Sequence, residues 1–294
     1  MRYPLQTLLF CSTLAACSSS QANRAGASPP QSTLASAKPT ARSSGEPLAT
    51  PASGIKRTLV VHGDIADLPG FESRLYLVEY PPGAQADAHT HTEQCAGYVI
   101  EGSFASAYGD GPATVKHTAE GFIDIPGQAH HFKNLDSARP LRFLVAGSFR
   151  KEEPMLRPIS DGQGFATGAE PPAPASVPEP PSGPVTEVKR SLLAQQEIAD
   201  LPGMESRIYL MEFPPGAASK LHLHTAQGIG YVLEGSFESA FGDDPAVTKR
   251  AGDGFVDTPG KPHHFRNPDP ARPLRFVFSG TFHKDEPLFK VLSE

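Results

Sequence analysis

A shift of 133 residues lays the second part of this chain onto the first. It carries His89 onto His222, residues 65–70 onto residues 198–203, and Tyr98-Val99 onto Tyr231-Val232. The register holds without a gap from about residue 56 to about residue 156, and well over half of the paired positions are identical. Whatever fold this sequence adopts must therefore be built twice, in units of roughly 100 residues, an ordinary domain size.

Each copy reads as β. Residues 74–80 are rich in β-branched, aliphatic and aromatic side chains and are stopped by Pro81-Pro82-Gly83. Residues 98–104, 121–125 and 141–145 are further short runs ended by glycine or proline. Helical spacing with caps is nearly absent, so each copy is expected to be an all-β sandwich or barrel. The prolines follow the same division. Of 31, six precede residue 54 and eight fall between 157 and 186. Of the remaining 17, 14 form seven pairs at the 133-residue shift, as turn residues of a repeated domain should. Residues 18–55 (Ser, Ala, Pro and Gly without hydrophobic period) read as a disordered tether, and 157–186 as a Pro-rich linker. The expected organisation is thus a signal at 1–17, the tether, a barrel at 56–156, the linker, and a barrel at 187–294.

A net charge of −6 with no Lys/Arg tract argues against a nucleic-acid partner. The N-terminus carries Arg2, an apolar stretch from Leu5 to Ala16, and then Leu14-Ala15-Ala16-Cys17. This resembles the lipobox of bacterial lipoproteins, which implies cleavage before Cys17 and its lipidation. Ser18 after that cysteine implies sorting to the outer membrane, with the protein facing the periplasm and attached to the membrane through its lipid only. Cys11 fits less well because Phe10 is bulky. After cleavage Cys95 would be the one free thiol, so no intrachain disulfide is expected.

Eleven histidines are present, and eight occupy four duplicated places: His89, His91, His130 and His131 with His222, His224, His263 and His264. Two residues apart on a strand face the same way, so His89/His91 and His222/His224 each present two imidazoles to one side. A third imidazole from another strand would complete a facial set for a first-row metal. The motifs resemble those of the cupin superfamily. Gly83 with His89-Thr90-His91 and Gly216 with His222-Leu223-His224 match its first motif, each followed by a strand ending at Gly102 or Gly235. Gly127, His130 and Asn134, and Gly260, His263 and Asn267, keep the spacing of its second.

The resemblance implies two tandem cupin-type jelly-roll β-barrels, packed as an intramolecular pseudo-dimer, each with a pocket for a divalent transition metal (Fe, Mn, Ni, Cu or Zn). It implies His89, His91 and His130 as ligands in the first barrel, and His222, His224 and His263 in the second. His131 and His264, directly after a ligand, point away in an extended segment. The glutamate of the family's first motif is missing from both copies. After His91 come Thr92, Glu93, Gln94 and Cys95, and after His224 come Thr225, Ala226, Gln227 and Gly228. Gln94 and Gln227 are candidate neutral fourth ligands if a hairpin re-aims them. Cys95 is a candidate soft ligand or a small buried residue. Asp124/Asp257, Glu79/Glu212 and Arg74/Arg207 are polar positions within strand runs, and alternation by default turns them to solvent. An Asp facing the pocket as proton acceptor is the alternative.

A three-His metal without an anionic ligand would attract an anionic or chelating small molecule. The expected function is a metal-binding envelope lipoprotein acting as a metal-dependent, dioxygenase-like oxidoreductase on a small molecule. The alternative is a non-catalytic module that binds a small molecule or metal in the periplasm.

Overall fold

The computed structural model describes residues 54–159 and 179–293. The signal segment, Cys17, nearly all of the tether and most of the linker lie outside the described residues. The described residues contain twenty strands and no helix. The first copy forms β1 (Lys56–Asp64), β2 (Phe71–Tyr80), β3 (His89–His91), β4 (Cys95–Glu101), β5 (Ser103–Tyr108), β6 (Thr114–His117), β7 (Gly121–Asp124), β8 (His130–Asn134), β9 (Leu141–Arg150) and β10 (Leu156–Pro158). The second repeats it as β11 (Lys189–Glu197), β12 (Met204–Phe213), β13 (His222–His224), β14 (Gly228–Glu234), β15 (Ser236–Phe241), β16 (Val247–Arg250), β17 (Gly254–Asp257), β18 (His263–Arg266), β19 (Leu274–His283) and β20 (Phe289–Val291).

Each barrel is a jelly roll of two five-stranded sheets. In the first the orders are β1-β2-β9-β4-β7 and β10-β3-β8-β5-β6; the second repeats both. Strand β10 pairs Pro158 with His89, so the first barrel extends two residues into the segment expected as linker. Each barrel encloses its own apolar core. Val99, Phe104, Phe132, Phe143 and Phe149 centre the first; Val232, Phe237, Phe276, Phe278 and Phe282 centre the second.

A third core lies between the barrels. On β4, Cys95 and Val99 face the first barrel's interior while Ala96 and Tyr98 face the other barrel. On β9, Phe143 and Val145 go in, and Leu144 and Ala146 go out to meet Ile208, Ile229 and Val277. Strands buried on both faces read as continuous apolar runs instead of alternating ones, which is how both segments read. The packing is two-fold in character. Ser148 Oγ and Thr281 Oγ1, equivalent under the 133-residue shift, lie 3.0 Å apart, as only residues on a symmetry axis can. Close approach at the edges requires glycine. A Cβ at Gly121 would stand 2.7 Å from Leu193 Cβ, and one at Gly254 would stand 2.5 Å from Val61 Cγ1.

Polar residues on and beside these strands take definite partners. Gln94 Nε2 donates to Gln196 O at 3.0 Å, and Gln227 Nε2 donates to Gly63 O at 3.0 Å. Gly63 and Gln196 are themselves equivalent positions, so both amides cross between barrels at symmetric points. Arg74 and Arg207 are buried, contrary to the solvent-facing default. Arg74 pairs with Glu72 at 2.7 Å and donates to the carbonyls of Arg150, Lys151 and Glu153. Arg207 pairs with Glu205 and donates to the carbonyls of His283 and Glu286. Each guanidinium thus satisfies a turn's orphan carbonyls with a fixed fork of donors. Glu79 and Glu212 stay nearer the surface, paired with Arg142 and Arg275.

Candidate metal centres

Both His-x-His strands are three residues long, with the outer two buried and the middle one partly exposed. His89 lies opposite His130 in the β3–β8 ladder, and His222 lies opposite His263 in the β13–β18 ladder. The result is two triads, His89/His91/His130 and His222/His224/His263, each with donor atoms within 4.8 Å of one another. His131 and His264 fall on the alternate face of their strands and outside both triads.

The donor sets suit a cation. His89 Nδ1 lies 2.8 Å from Asp87 O, and His222 Nδ1 lies 2.7 Å from Lys220 O. A carbonyl can only accept, so each Nδ1 carries the proton and each Nε2 keeps a lone pair. Those Nε2 atoms stand 3.0 and 3.1 Å from Nε2 of His130 and His263. Burial lowers the pKa of His89 to about 4 and of His91, His224 and His263 to about 3. At neutral pH these rings are uncharged and competent as ligands. His224 Nε2 and Asp124 Oδ2 are buried with no hydrogen-bond partner among the described residues, which a bound ion would correct.

Asp124 and Asp257 face inward, against the default reading. Asp124 Oδ2 lies 3.5 Å from His91 Nε2, and Asp257 Oδ2 lies 3.4 Å from His224 Nε2. Without a cation beside them, burial pushes both carboxyl groups up to about 7. Their strand segments alternate as expected. What sequence reasoning missed is that the inward face of β7 and β17 is the polar one at this position. The signal that finds it is cross-strand pairing, Cys95 with Asp124 and Gly228 with Asp257, and strand order is not readable from one sequence.

Cys95 sits behind a ring. Its Sγ lies 3.7 Å from His91 Nδ1 and 3.4 Å from Glu93 O, while Nε2 of the same ring faces Asp124. Burial raises its pKa well above the ordinary thiol value, so it stays a thiol. Asn134 and Asn267 hold the proline turns that lead into each site. Asn134 Nδ2 donates to Pro81 O and Arg139 O, and Asn267 Nδ2 to Pro214 O and Arg272 O.

The two centres differ in access. Beside His222, His224 and Asp257 opens a cavity of about 430 Å³ walled by Met211, Phe213, Phe276, Phe278 and Phe289. The corresponding space beside His89, His91 and Asp124 is about 10 Å³. In the first barrel Ile55 is 1% exposed and belongs to the core, and Arg57 reaches the Tyr80 hydroxyl. In the second, Val188 is 53% exposed, and phenylalanine (Phe213) replaces that tyrosine. Arg190, equivalent to Arg57, instead lies over the Phe289 ring at 4.5 Å and has no carboxylate partner among the described residues. Its charge acts on His222 and His224. Sequence reading also missed Arg57 and Arg190, since an arginine near the start of a strand carries no distinguishing pattern.

Comparisons agree with the architecture. Residues 76–147 and 209–280 each match the family described as Cupin domain. No curated protein matches the chain. Among solved structures, oxalate decarboxylase from Bacillus subtilis at pH 4.6 superposes with a TM-score of 0.59 at 16% identity, over 86% of this chain and 78% of that one. AerE from Microcystis aeruginosa superposes with a TM-score of 0.53 at 14% identity, over 80% and 95%. At such identities the likeness establishes the fold.

Proposed function

Because the chain belongs to the cupin superfamily as a duplicated cupin, we propose that it is a metal-dependent oxidoreductase of dioxygenase type, with its chemistry in the second barrel. The observation that carries this reading is the asymmetry of two otherwise equivalent centres: a cavity of about 430 Å³ beside one triad and of about 10 Å³ beside the other. His222, His224 and His263 would hold a divalent first-row ion. When bound, such an ion supplies Lewis acidity and open positions for a substrate donor and for dioxygen, both atoms of which enter the product.

The remaining residues define the substrate class. Phe213, Phe276, Phe278, Phe289 and Met211 would bury an apolar body, as small-molecule sites generally do. Arg190 and Lys220 both line this pocket, neither paired with a carboxylate among the described residues, and Arg190 would take a substrate carboxylate through two parallel N–H donors. A small carboxylic acid with an aryl or branched alkyl body, and a chelating oxygen or sulfur near the ion, fits these walls. In the first barrel the arginine is engaged by Tyr80 and the cavity is filled, so that centre acts as a structural site.

The test is nitric oxide uptake by the Fe(II)-loaded protein, followed by electron paramagnetic resonance. Wild type and His89→Ala should each give one nitrosyl signal per chain, and His222→Ala none. Equal signals from both barrels would sink the division of labour. Oxygen-electrode assays with aryl and acyl carboxylates, β-diketones and thiols should then show consumption that Arg190→Ala reduces through a raised KM. Ligand binding with no oxygen uptake across that panel would favour the non-catalytic binding module.

The N-terminal segment extends the proposal to a lipid-anchored protein of the cell envelope, held at the outer membrane through Cys17. Radiolabelled palmitate should enter the wild-type chain and not Cys17→Ser; equal labelling of both would remove the anchor from the proposal.

A further inference from the structure

The glutamate of the family's first motif would stand at the position held by Cys95 in one copy and Gly228 in the other. In the antiparallel ladders, the residue directly across from Cys95 is Asp124, and the residue across from Gly228 is Asp257. Residues opposed in this way project from the same face of the sheet, with Cβ atoms about 5 Å apart. A carboxylate one strand over therefore reaches the space that a glutamate at 95 or 228 would have filled. We propose that Asp124 and Asp257 are the fourth, anionic ligands of the two metal centres, replacing the missing glutamate from the neighbouring strand.

Three further observations support this. Both aspartates are buried, at 2% and 8% exposure, on strands whose other face contacts the opposite barrel. Neither forms an ion pair with a lysine or arginine among the described residues. Asp124 Oδ2 has no hydrogen-bond partner there at all. The spacing is that of a coordination shell. Bonds of about 2.1 Å to one ion place adjacent donors about 3.0 Å apart in an octahedron and about 3.4 Å apart in a tetrahedron. His89 and His130 stand 3.0 Å apart and His222 and His263 3.1 Å, Asp124 lies 3.5 Å from His91 and Asp257 3.4 Å from His224, and the donors of each triad all fall within 4.8 Å of one another.

The two carboxylates are not equally constrained. Tyr108 Oη donates to Asp124 Oδ1 at 3.1 Å and accepts from the Ile125 amide at 3.3 Å, leaving Oδ2 free to face the histidines. In the second barrel Phe241 occupies the equivalent place and stacks on His263, with centroids 4.4 Å apart. Among the described residues no hydroxyl holds Asp257, which would be the stronger donor. With one carboxylate bound, each divalent ion keeps a single net positive charge instead of the two that a bare three-His site implies.

This inference rests on the reading that the triads hold metal, and the test separates the two. The full chain is stripped with a chelator and titrated with Co(II), whose absorption reports both donor type and coordination number. Wild type should take up two ions. Asp257→Asn, which keeps the shape and removes the charge, should weaken the second ion at least tenfold and alter its visible ligand-field bands. Asp257→Cys should retain that ion and add a near-ultraviolet thiolate-to-cobalt charge-transfer band absent from wild type. A residue that merely orients a histidine would weaken binding but could not produce that band. Two Co(II) bound by Asp257→Cys with no new band overturns the proposal. If that variant does not fold, Asp124→Cys supplies the same reading in the first barrel. Failure of wild type to bind Co(II) would instead overturn the metal centres themselves.

Discussion

Gly228→Cys should destabilise the second barrel by about 3 kcal/mol, the upper end of what overpacking a filled core costs. A Cβ at Gly228 would lie 1.7 Å from Phe278 Cζ and 2.5 Å from two further atoms of that ring. The ring packs against Phe255 and the His224 imidazole, at 6.3 and 5.1 Å between centroids, and can yield only by giving up those contacts and swinging into the cavity that it walls. The first barrel shows the alternative solution. There the equivalent pair is Cys95 and Val145, both buried in the core. Phe278→Val alone should also destabilise, by roughly 2 kcal/mol, through the cavity it leaves. Gly228→Cys with Phe278→Val should recover most of the loss of either, because it rebuilds the first barrel's packing. Urea denaturation of the four proteins gives the coupling energy directly. Additive losses would show that the two positions do not exchange volume. The result also bears on access, since Phe278 forms a wall of the open cavity.

Metal removal should lower the melting temperature by roughly 8–16 °C for each saturated site. An ion present at about 1,000 times its dissociation constant stabilises the folded state by about 4 kcal/mol, and 1 kcal/mol shifts a unit of this size by about 2–4 °C. The physical source is the buried polar cluster at each centre. Uncharged imidazoles stand 3.0 Å apart in one barrel and 3.1 Å apart in the other, beside a buried carboxylate, and an ion resolves that arrangement. Scanning calorimetry with chelator and with added Co(II) or Zn(II) should show the shift in wild type. It should be absent when His89→Ala and His222→Ala are combined. A chelator-insensitive melting temperature in wild type would remove metal from the stability of these barrels.

Several features of the two centres were legible in the chain itself. The 133-residue repeat requires two like domains, and His-x-His on a short strand requires two imidazoles on one side. The paired prolines mark the turns: Asn134 and Asn267 bind the carbonyls of Pro81 and Pro214, so the second motif's asparagine anchors the first motif's turn. These are local properties, set by backbone geometry over a few residues.

Six assignments needed the folded molecule, and they share a cause. Arg74, Arg207, Asp124 and Asp257 sit on strands where alternation assigns polar side chains to water, and Gln94 and Gln227 lie beside strands whose outer faces would be wet in a lone barrel. In this chain the outward face of the β1-β2-β9-β4-β7 sheet is covered by the second barrel, and the inward face carries Asp124 toward the His89/His91/His130 group on the opposite sheet. Neither face is solvent, so polarity no longer tells which way a residue points. Gln94 and Gln227 therefore serve the interface, and the aspartates serve the centre. The repeat and its histidines were determined by sequence alone, because identical segments must fold alike and strand parity is local. Which centre is open, and which carboxylate stands beside each triad, was decided by tertiary structure, because both depend on what packs across a sheet from a distant part of the chain.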